Sequence, residues 1–444
     1  MSQGVNCLNF RRSPVMKTIF PAGSLKNIMG FAKRIKKFWK YLGAGFISGA
    51  SDDDAAAITT YAIAGTRLGF SSLWTVFFTF PLMTAIQEMS ARIGMVAKTG
   101  LAGVLKKYYS RWFLGLIVMM MISTNILNIG ADLSGMSAAT NLIIPGLSAR
   151  SLDIIYALII VLLIVFWDFK RIIKYFKWLA LTLLFYIAAA LMIPHDWSEI
   201  FRKITFPKLI LSRETISIII AIFGTTLAPY MFFWQTNQEA FEEKGHNHNL
   251  KSDRKLEKEI RHMAGDITFG MFFSNLIKFF IMILAATLFF GTKVKIQTID
   301  EISRLLKPLL GDFGQLIFTL GIIGTGFLII PILAAGSAYI LSETFGWRSG
   351  LEKKFKKAKG FYLVIIVSTV LAMTLNYFNF NPVRLLFYTA FFHGLILPPL
   401  IFAILLISNN QKIMGSYTNG KFSNTLGYIA LLFMSAAVIL FFTL

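Results

Sequence analysis

Eleven mostly apolar stretches succeed one another along the chain, at about 41–66, 70–95, 112–145, 151–167, 172–194, 212–240, 265–291, 313–345, 360–378, 383–408 and 424–443. A hydrocarbon layer of about 30 Å is crossed by roughly 20 residues of helix. Water is absent at that depth, so each span must satisfy its own backbone groups, which helices do. An all-α integral membrane protein follows. The composition agrees: 56% hydrophobic and 15% charged residues, with a mean hydropathy of +0.65, leave too little polar surface to cover a soluble core. A soluble enzyme is excluded on this ground, and no nucleophile and base pair, phosphate loop or metal-ligand spacing argues for an enzyme of another kind.

The formal charge of +22 is read as topology rather than as an affinity for nucleic acid, which is not an expected partner. With the N-terminus in the cytoplasm, 32 of the 44 Lys and Arg fall inside, 11 outside and one, Lys278, within a span. That bias obeys the positive-inside rule. The expectation is a multi-pass protein of the cell membrane, N-terminus cytoplasmic and C-terminus outside, as monomer or homodimer in the lipid bilayer. The single cysteine, Cys7, allows no internal disulfide. No secretory signal is recognised in the first forty residues, so the first span is expected to direct insertion.

Four parts follow: a basic tail at 1–40, spans one to five at 41–194, spans six to ten at 212–408, and an eleventh span at 424–443. In the tail, "LKNIMGFAKRIKKFWK" sets Ile28, Phe31, Ile35 and Phe38 on one helical face among Lys and Arg. Such a helix can lie on an anionic inner leaflet, though a solvated basic tail reads equally well. His246 and His248, in the charged loop between spans six and seven, are expected to be solvated.

Two spans are interrupted. The first contains "GASDDDAAAITTYA", residues 49–62, and the sixth contains "AIFGTTLAPYMFFW", residues 221–234. Three aspartates break one, and Gly224, Thr225, Thr226 and Pro229 break the other; Pro229 has no N–H to donate and frees carbonyls near Thr225. Broken helices persist at membrane depth only where they line a cavity or are buried in protein. Breaks in the first and sixth of ten spans are the correspondence expected of a 5+5 inverted repeat, and they point to a transporter's midplane site. Carboxylates and freed carbonyls there, with no Lys or Arg in either break, make a cation the expected occupant.

Asp54 is the leading candidate ligand, with capping of the following half-helix as its structural alternative. Asp52 and Asp53 are expected to line the approach or to hold loose backbone, with at least one of the three carboxylates protonated or strongly paired. Thr225 and Thr226 offer carbonyls and hydroxyls, or bond back to their own helix. Tyr230 either lines the pathway or packs. His393 and Asn381 are expected to be satisfied interior groups. Lys278 is expected to snorkel to the cytoplasmic interface, or else to pair with an intramembrane acid such as Asp132. Glu88 and Arg92, four residues apart, are expected to form a local ion pair.

At these residues the chain resembles the NRAMP family of divalent-metal transporters, which have the LeuT-type fold. "GAGFISGASDDDAAAITTYAIAGTRLG", "PLMTAIQEMSARIGMVAKTGLA", "NIGADLSGMSAATNLI", "AIFGTTLAPYMFFWQ" and "LGIIGTGFLIIPILAAGSAYILSETFGWR" carry the resemblance. The family motif Asp-Pro-Gly-Asn is matched by Asp54, Ala55, Ala56 and Ala57, which keeps the carboxylate and lacks the amide. In the sixth span Thr225 stands at the carbonyl position, and Ala228 replaces a Met ahead of Pro229 and Tyr230. The resemblance therefore implies a site at Asp54, Ala57, Thr225 and Ala228, with Asp53 and Thr226 beside it. The alanines would supply space or a backbone carbonyl rather than a side-chain ligand.

Loss of the thioether favours a hard ion, and the pattern is similar to the magnesium-transporting NRAMP-related branch, although that branch commonly keeps a Pro after the Asp. The family's proton-coupling Asp and Glu of span three and two His of span six are matched by Asp132, Gly135, Tyr230 and Gln235. Little or no proton coupling is expected. The resemblance thus implies an alternating-access transporter of divalent cations, Mg2+ first and Mn2+ second, with the ion as substrate and no cofactor. Two other readings stand beside it: an organic-solute transporter of the same fold using a cation at the aspartates, and a non-transporting sensor.

Overall fold

A computed structural model of the chain describes residues 49, 52–167, 171, 172, 175, 181–208, 210–243, 254–292, 294, 296–311, 313–378 and 380–444. The basic tail with Cys7, most of the first half of span one, and both loop histidines lie outside these residues.

The described chain is helical throughout its regular structure: α1 (Ala55–Leu68), α2 (Trp74–Ala97), α3 (Arg111–Ile143), α4 (Ala149–Phe166), α5 (Leu184–Met192), α6 (Arg213–Thr226), α7 (Pro229–Glu242), α8 (Arg254–Phe289), α9 (Phe313–Phe345), α10 (Lys359–Leu375), α11 (Pro382–Ser408) and α12 (Lys421–Thr443). Shorter helices connect them. Each predicted span has its counterpart, the first and fifth being described only in part. Among the described residues eight helices are individually long and apolar enough to cross a membrane, or up to ten if each of two bent pairs is one span. The continuous run of α6 and α7 counts as one of the eight.

Local chemistry starts the helices where they start. Asp54 caps α1, Ser110 caps α3, Ser212 caps α6 and Asn381 caps α11, each side chain accepting from a backbone N–H of the first turn. Pro229 and Pro382 open α7 and α11, where a missing N–H costs nothing. Asn381 is thus a structural group, and its Nδ2 also donates to the Gln297 carbonyl at 2.9 Å.

Burial orders the helices from centre to rim. In the run formed by α6 and α7, 94% of the apolar window is buried, against 22% in α12, so the broken sixth span is central and α12 faces lipid. The packing is reciprocal: α2 lies along α7 as α8 lies along α1, and α3 lies along α9. Exchanging spans one with six, two with seven and three with eight maps this arrangement onto itself, as two inverted repeats require. At the crossing of α6 and α11 the backbones touch. A Cβ added to Gly224 would sit 2.0 Å from the Ala390 carbonyl oxygen, and one on Gly394 would sit 2.2 Å from that of Ile220. Only glycine admits this approach, the small-residue packing usual between membrane helices.

Candidate functional site

The two breaks meet in the interior. In the first, α1 begins only after Asp54, whose backbone is extended (φ −75°, ψ −178°) and whose Oδ1 accepts from the Ala57 N–H at 2.7 Å. Capping is therefore real. In the second, the helix ladder stops after Thr226, Leu227 and Ala228 leave helical geometry, and Pro229 restarts it as α7. Pro229 has no N–H to give the Thr225 carbonyl, four residues earlier.

Asp52, Asp53 and Asp54 are all buried, at 1–3% exposure, so each needs a partner. α8 supplies two. Ser274 Oγ donates to Asp53 Oδ1 at 3.0 Å and to Asp52 Oδ2 at 3.4 Å. One turn on, the Lys278 ammonium forms an ion pair with Asp52 Oδ2 and stands 3.9 Å from Asp53 Oδ1. The snorkelling expectation for Lys278 is thereby corrected, whereas pairing with an intramembrane acid is what the structure shows. Its side chain is fully buried rather than snorkelled, and its acid is Asp52 rather than Asp132. The physical reason is the first break itself: it brings two carboxylates to the middle of α8, where an ammonium without counter-charge would be untenable.

α3 reaches the site from the other side. Asn128 Nδ2 donates to Asp54 Oδ2 at 3.2 Å, while its Oδ1 is buried without a hydrogen-bond partner. Sequence reasoning missed Asn128, although it opens the "NIGADLSG" stretch. An amide absent after Asp54 is brought back through space by another helix. Asp132 follows Asn128 by one turn on the same face of α3, and neither of its buried oxygens has a hydrogen-bond partner. Asp52 Oδ1 and Asp53 Oδ2 share that condition. Gly135 lets α3 close on α1, since a Cβ there would be 3.3 Å from that of Ala55.

Tyr61, also missed, ties α1 to the break of the sixth span. Its hydroxyl is hydrogen-bonded to Thr226 Oγ1 and accepts from Thr225 Oγ1 at 3.2 Å, and Lys278 Nζ lies 5.6 Å from its ring centre. Thr225 also bonds back to the Ala221 and Ile222 carbonyls at 3.3 and 3.0 Å. Ala57 and Ala228 are buried and present only methyls, and the Ala228 carbonyl accepts from the Met231 N–H at 2.9 Å. Tyr230 packs on His393 with ring centres 5.4 Å apart. His393 Nε2 is a buried atom without a hydrogen-bond partner. Gln235 is bonded to Gln87 and donates to Glu239 Oε1 at 3.4 Å, further along α7.

Glu88 and Arg92 pair at 3.2 Å, as their spacing predicts. At the far end of α1 and α6 a cavity of about 220 Å³ is lined by residues including Ile63, Arg67, Glu214, Val383 and Tyr388. Arg67 and Glu214 approach to 3.5 Å there. Among the described residues no three His, Cys, Asp or Glu side chains converge as a ready-made metal cage. The donors that do line the breaks are oxygens: carboxylate, amide, hydroxyl and carbonyl. The thioether of Met83, on α2, is already engaged by Asn275 Nδ2 at 2.9 Å.

Comparison with known proteins places this geometry. The family described as "Natural resistance-associated macrophage protein-like" matches residues 45–444. A divalent metal cation transporter MntH of Caldanaerobacter subterraneus is 22% identical over 407 residues, covering 90% of this chain and 92% of the relative. One of the same description from Clostridium acetobutylicum is 22% identical over 414 residues, covering 91% of each. Among solved structures, a mutant of the Eremococcus coleocola manganese transporter superposes with a TM-score of 0.73 at 15% identity, covering 90% of this chain and 86% of that one. MhsT in complex with L-phenylalanine superposes with a TM-score of 0.54 at 11% identity, covering 90% and 97%. The fold is LeuT-type.

Proposed function

The chain belongs to the natural resistance-associated macrophage protein-like family, and from that premise we propose that it is a cell-membrane transporter of divalent metal cations, Mg2+ foremost and Mn2+ second, by alternating access with little or no proton coupling. The ion class is supported by relatives named as divalent metal cation transporters and a structural neighbour named as a manganese transporter. The choice of Mg2+ rests on the donor set: the unsatisfied buried atoms around the paired breaks are mostly oxygens, of Asp52, Asp53, Asn128 and Asp132, with one nitrogen, His393 Nε2 beside Tyr230, and Ala228 brings no sulfur to them. Oxygen donors suit hard cations, whereas thioethers hold softer ones. Mg2+ keeps several of its waters, so a few carboxylate and amide oxygens with backbone carbonyls suffice to hold it. Asp54 is oriented for this by Ala57 and Asn128.

Ions reach such a site from one side at a time. Spans one and six would rock against the platform of spans three, four, eight and nine, hinging at the breaks. A membrane potential of 100 mV drives a divalent ion inward with about 4.6 kcal/mol, at about 2.3 kcal/mol per charge, so import needs no proton. Gly135, Tyr230 and Gln235 stand where the family resemblance expects groups that relay protons. An organic carboxylate is a poor substrate here, because Asp54 already accepts from the Ala57 N–H at the start of α1 and the carboxylates of Asp52, Asp53 and Asp54 repel an anion there. Titration of Mg2+ and Mn2+ into the purified full chain tests the assignment. Saturable binding that Asp54→Ala abolishes is the expected result, and binding unaltered by Asp54→Ala would refute it.

A further inference from the structure

This inference rests on reading the site as a divalent-cation carrier. Lys278 lies in the interior of α8, fully buried, and its ammonium touches the first break through Asp52 while standing 3.9 Å from Asp53. Its other neighbour is the Tyr61 ring, whose hydroxyl is bonded to Thr225 and Thr226 of the second break. A fixed positive charge thus sits between the two elements that must move. Asp52 and Asp53 are met by Lys278 and Ser274 through one oxygen each, and their other oxygens, Asp52 Oδ1 and Asp53 Oδ2, have no hydrogen-bond partner.

Every carrier must return empty to work in net mode. A buried cluster of carboxylates without a counter-charge resists that step, since removing one partner of a buried ion pair leaves an uncompensated charge. Other carriers can meet the demand by binding a second ion, which then travels the opposite way or alongside. We propose that the Lys278 ammonium is a tethered cation that takes the place of a co-transported ion: it compensates Asp52 and Asp53 in the empty carrier, and it remains on Asp52 while the divalent substrate is held by the open oxygens beside it. The chain carries its own counter-ion, which never leaves. Each cycle then moves two net charges and no partner ion.

Lys278→Met separates the empty return step from the loaded one. In proteoliposomes its net uptake of Mg2+ or Mn2+ into ion-free vesicles falls about tenfold or more, because the under-compensated empty form does not return. Exchange of external for internal ion, which uses only the loaded carrier, stays within about twofold of the unaltered chain. Asp52→Asn combined with Lys278→Met removes both charges of the pair and, whatever it does to the affinity for the ion, restores the ratio of net uptake to exchange found in the unaltered chain. A parallel loss of net uptake and exchange in Lys278→Met, or no change in either, overturns the proposal. So does a double variant that is folded, by its thermal transition, and exchanges ions without restoring that ratio. If the unaltered chain carries neither ion in either mode, the proposed function falls first and this inference with it.

Discussion

Ala228 places a methyl group, buried to 2% exposure, in the break of the sixth span where the family resemblance expects a sulfur ligand. Ala228→Met is expected to raise the affinity for Mn2+ and Cd2+ relative to Mg2+ by about tenfold, the softer ions gaining a donor that Mg2+ cannot use. Competition of the three ions in a binding titration measures this, and an unchanged ratio would mean that residue 228 does not face the ion. Asp54 was legible because a carboxylate at the end of a half-helix is conspicuous in an apolar span. Asn128 was not, because an amide inside a long helix carries no sign of which neighbour it will meet, and its partner is 74 residues away. Lys278 is the same lesson at greater range. Its acid is 226 residues distant, so sequence could offer pairing with an intramembrane acid as an alternative to a snorkelled side chain but could not say which acid. Tyr61 is buried like its apolar neighbours; what periodicity cannot tell is that its hydroxyl ties α1 to Thr225 and Thr226 of the sixth span.

Elements were easier to read than contacts between them. The breaks announce themselves through Pro229, which removes a helix bond, and Asp54, which supplies a cap; Gly224, expected at the break, lies inside α6 and serves its packing on α11 instead. What local signals do not carry is which helix closes on a break. α6 closes on α11 through Gly224 and Gly394, with no room for a Cβ on either side. Gly224→Ala must part the two backbones, and overpacking of this order costs about 1–3 kcal/mol. A lower thermal transition than that of the unaltered protein, measured in the same detergent, is expected together with reduced uptake. An unshifted transition would show that the crossing is looser than described. The reciprocal packing of α2 on α7 and of α8 on α1 gives the inverted repeat physical content: each broken helix is held by the span that follows its counterpart. The first half of span one, 41–51, falls outside the described residues apart from Gly49, so its share of that symmetry stays a proposal from sequence.

At the scale of the whole molecule, the all-helical fold and its order of spans were fully legible, because hydropathy is a property of long windows and survives without knowledge of any contact. The orientation in the membrane, argued from 32 of 44 basic residues, and the division into tail, two five-span repeats and a final span remain proposals. On the proposed reading, three aspartates, an amide from span three and a break in span six would hold a hydrated hard divalent ion, and the membrane potential would move it without a proton. Uptake of Mg2+ and Mn2+ by proteoliposomes, recorded together with internal pH under an imposed inside-negative potential, tests that claim most directly. The account predicts saturable, potential-driven uptake that Asp54→Ala abolishes, with no matching internal acidification. Normal uptake by Asp54→Ala, or acidification that follows the metal flux, would contradict it.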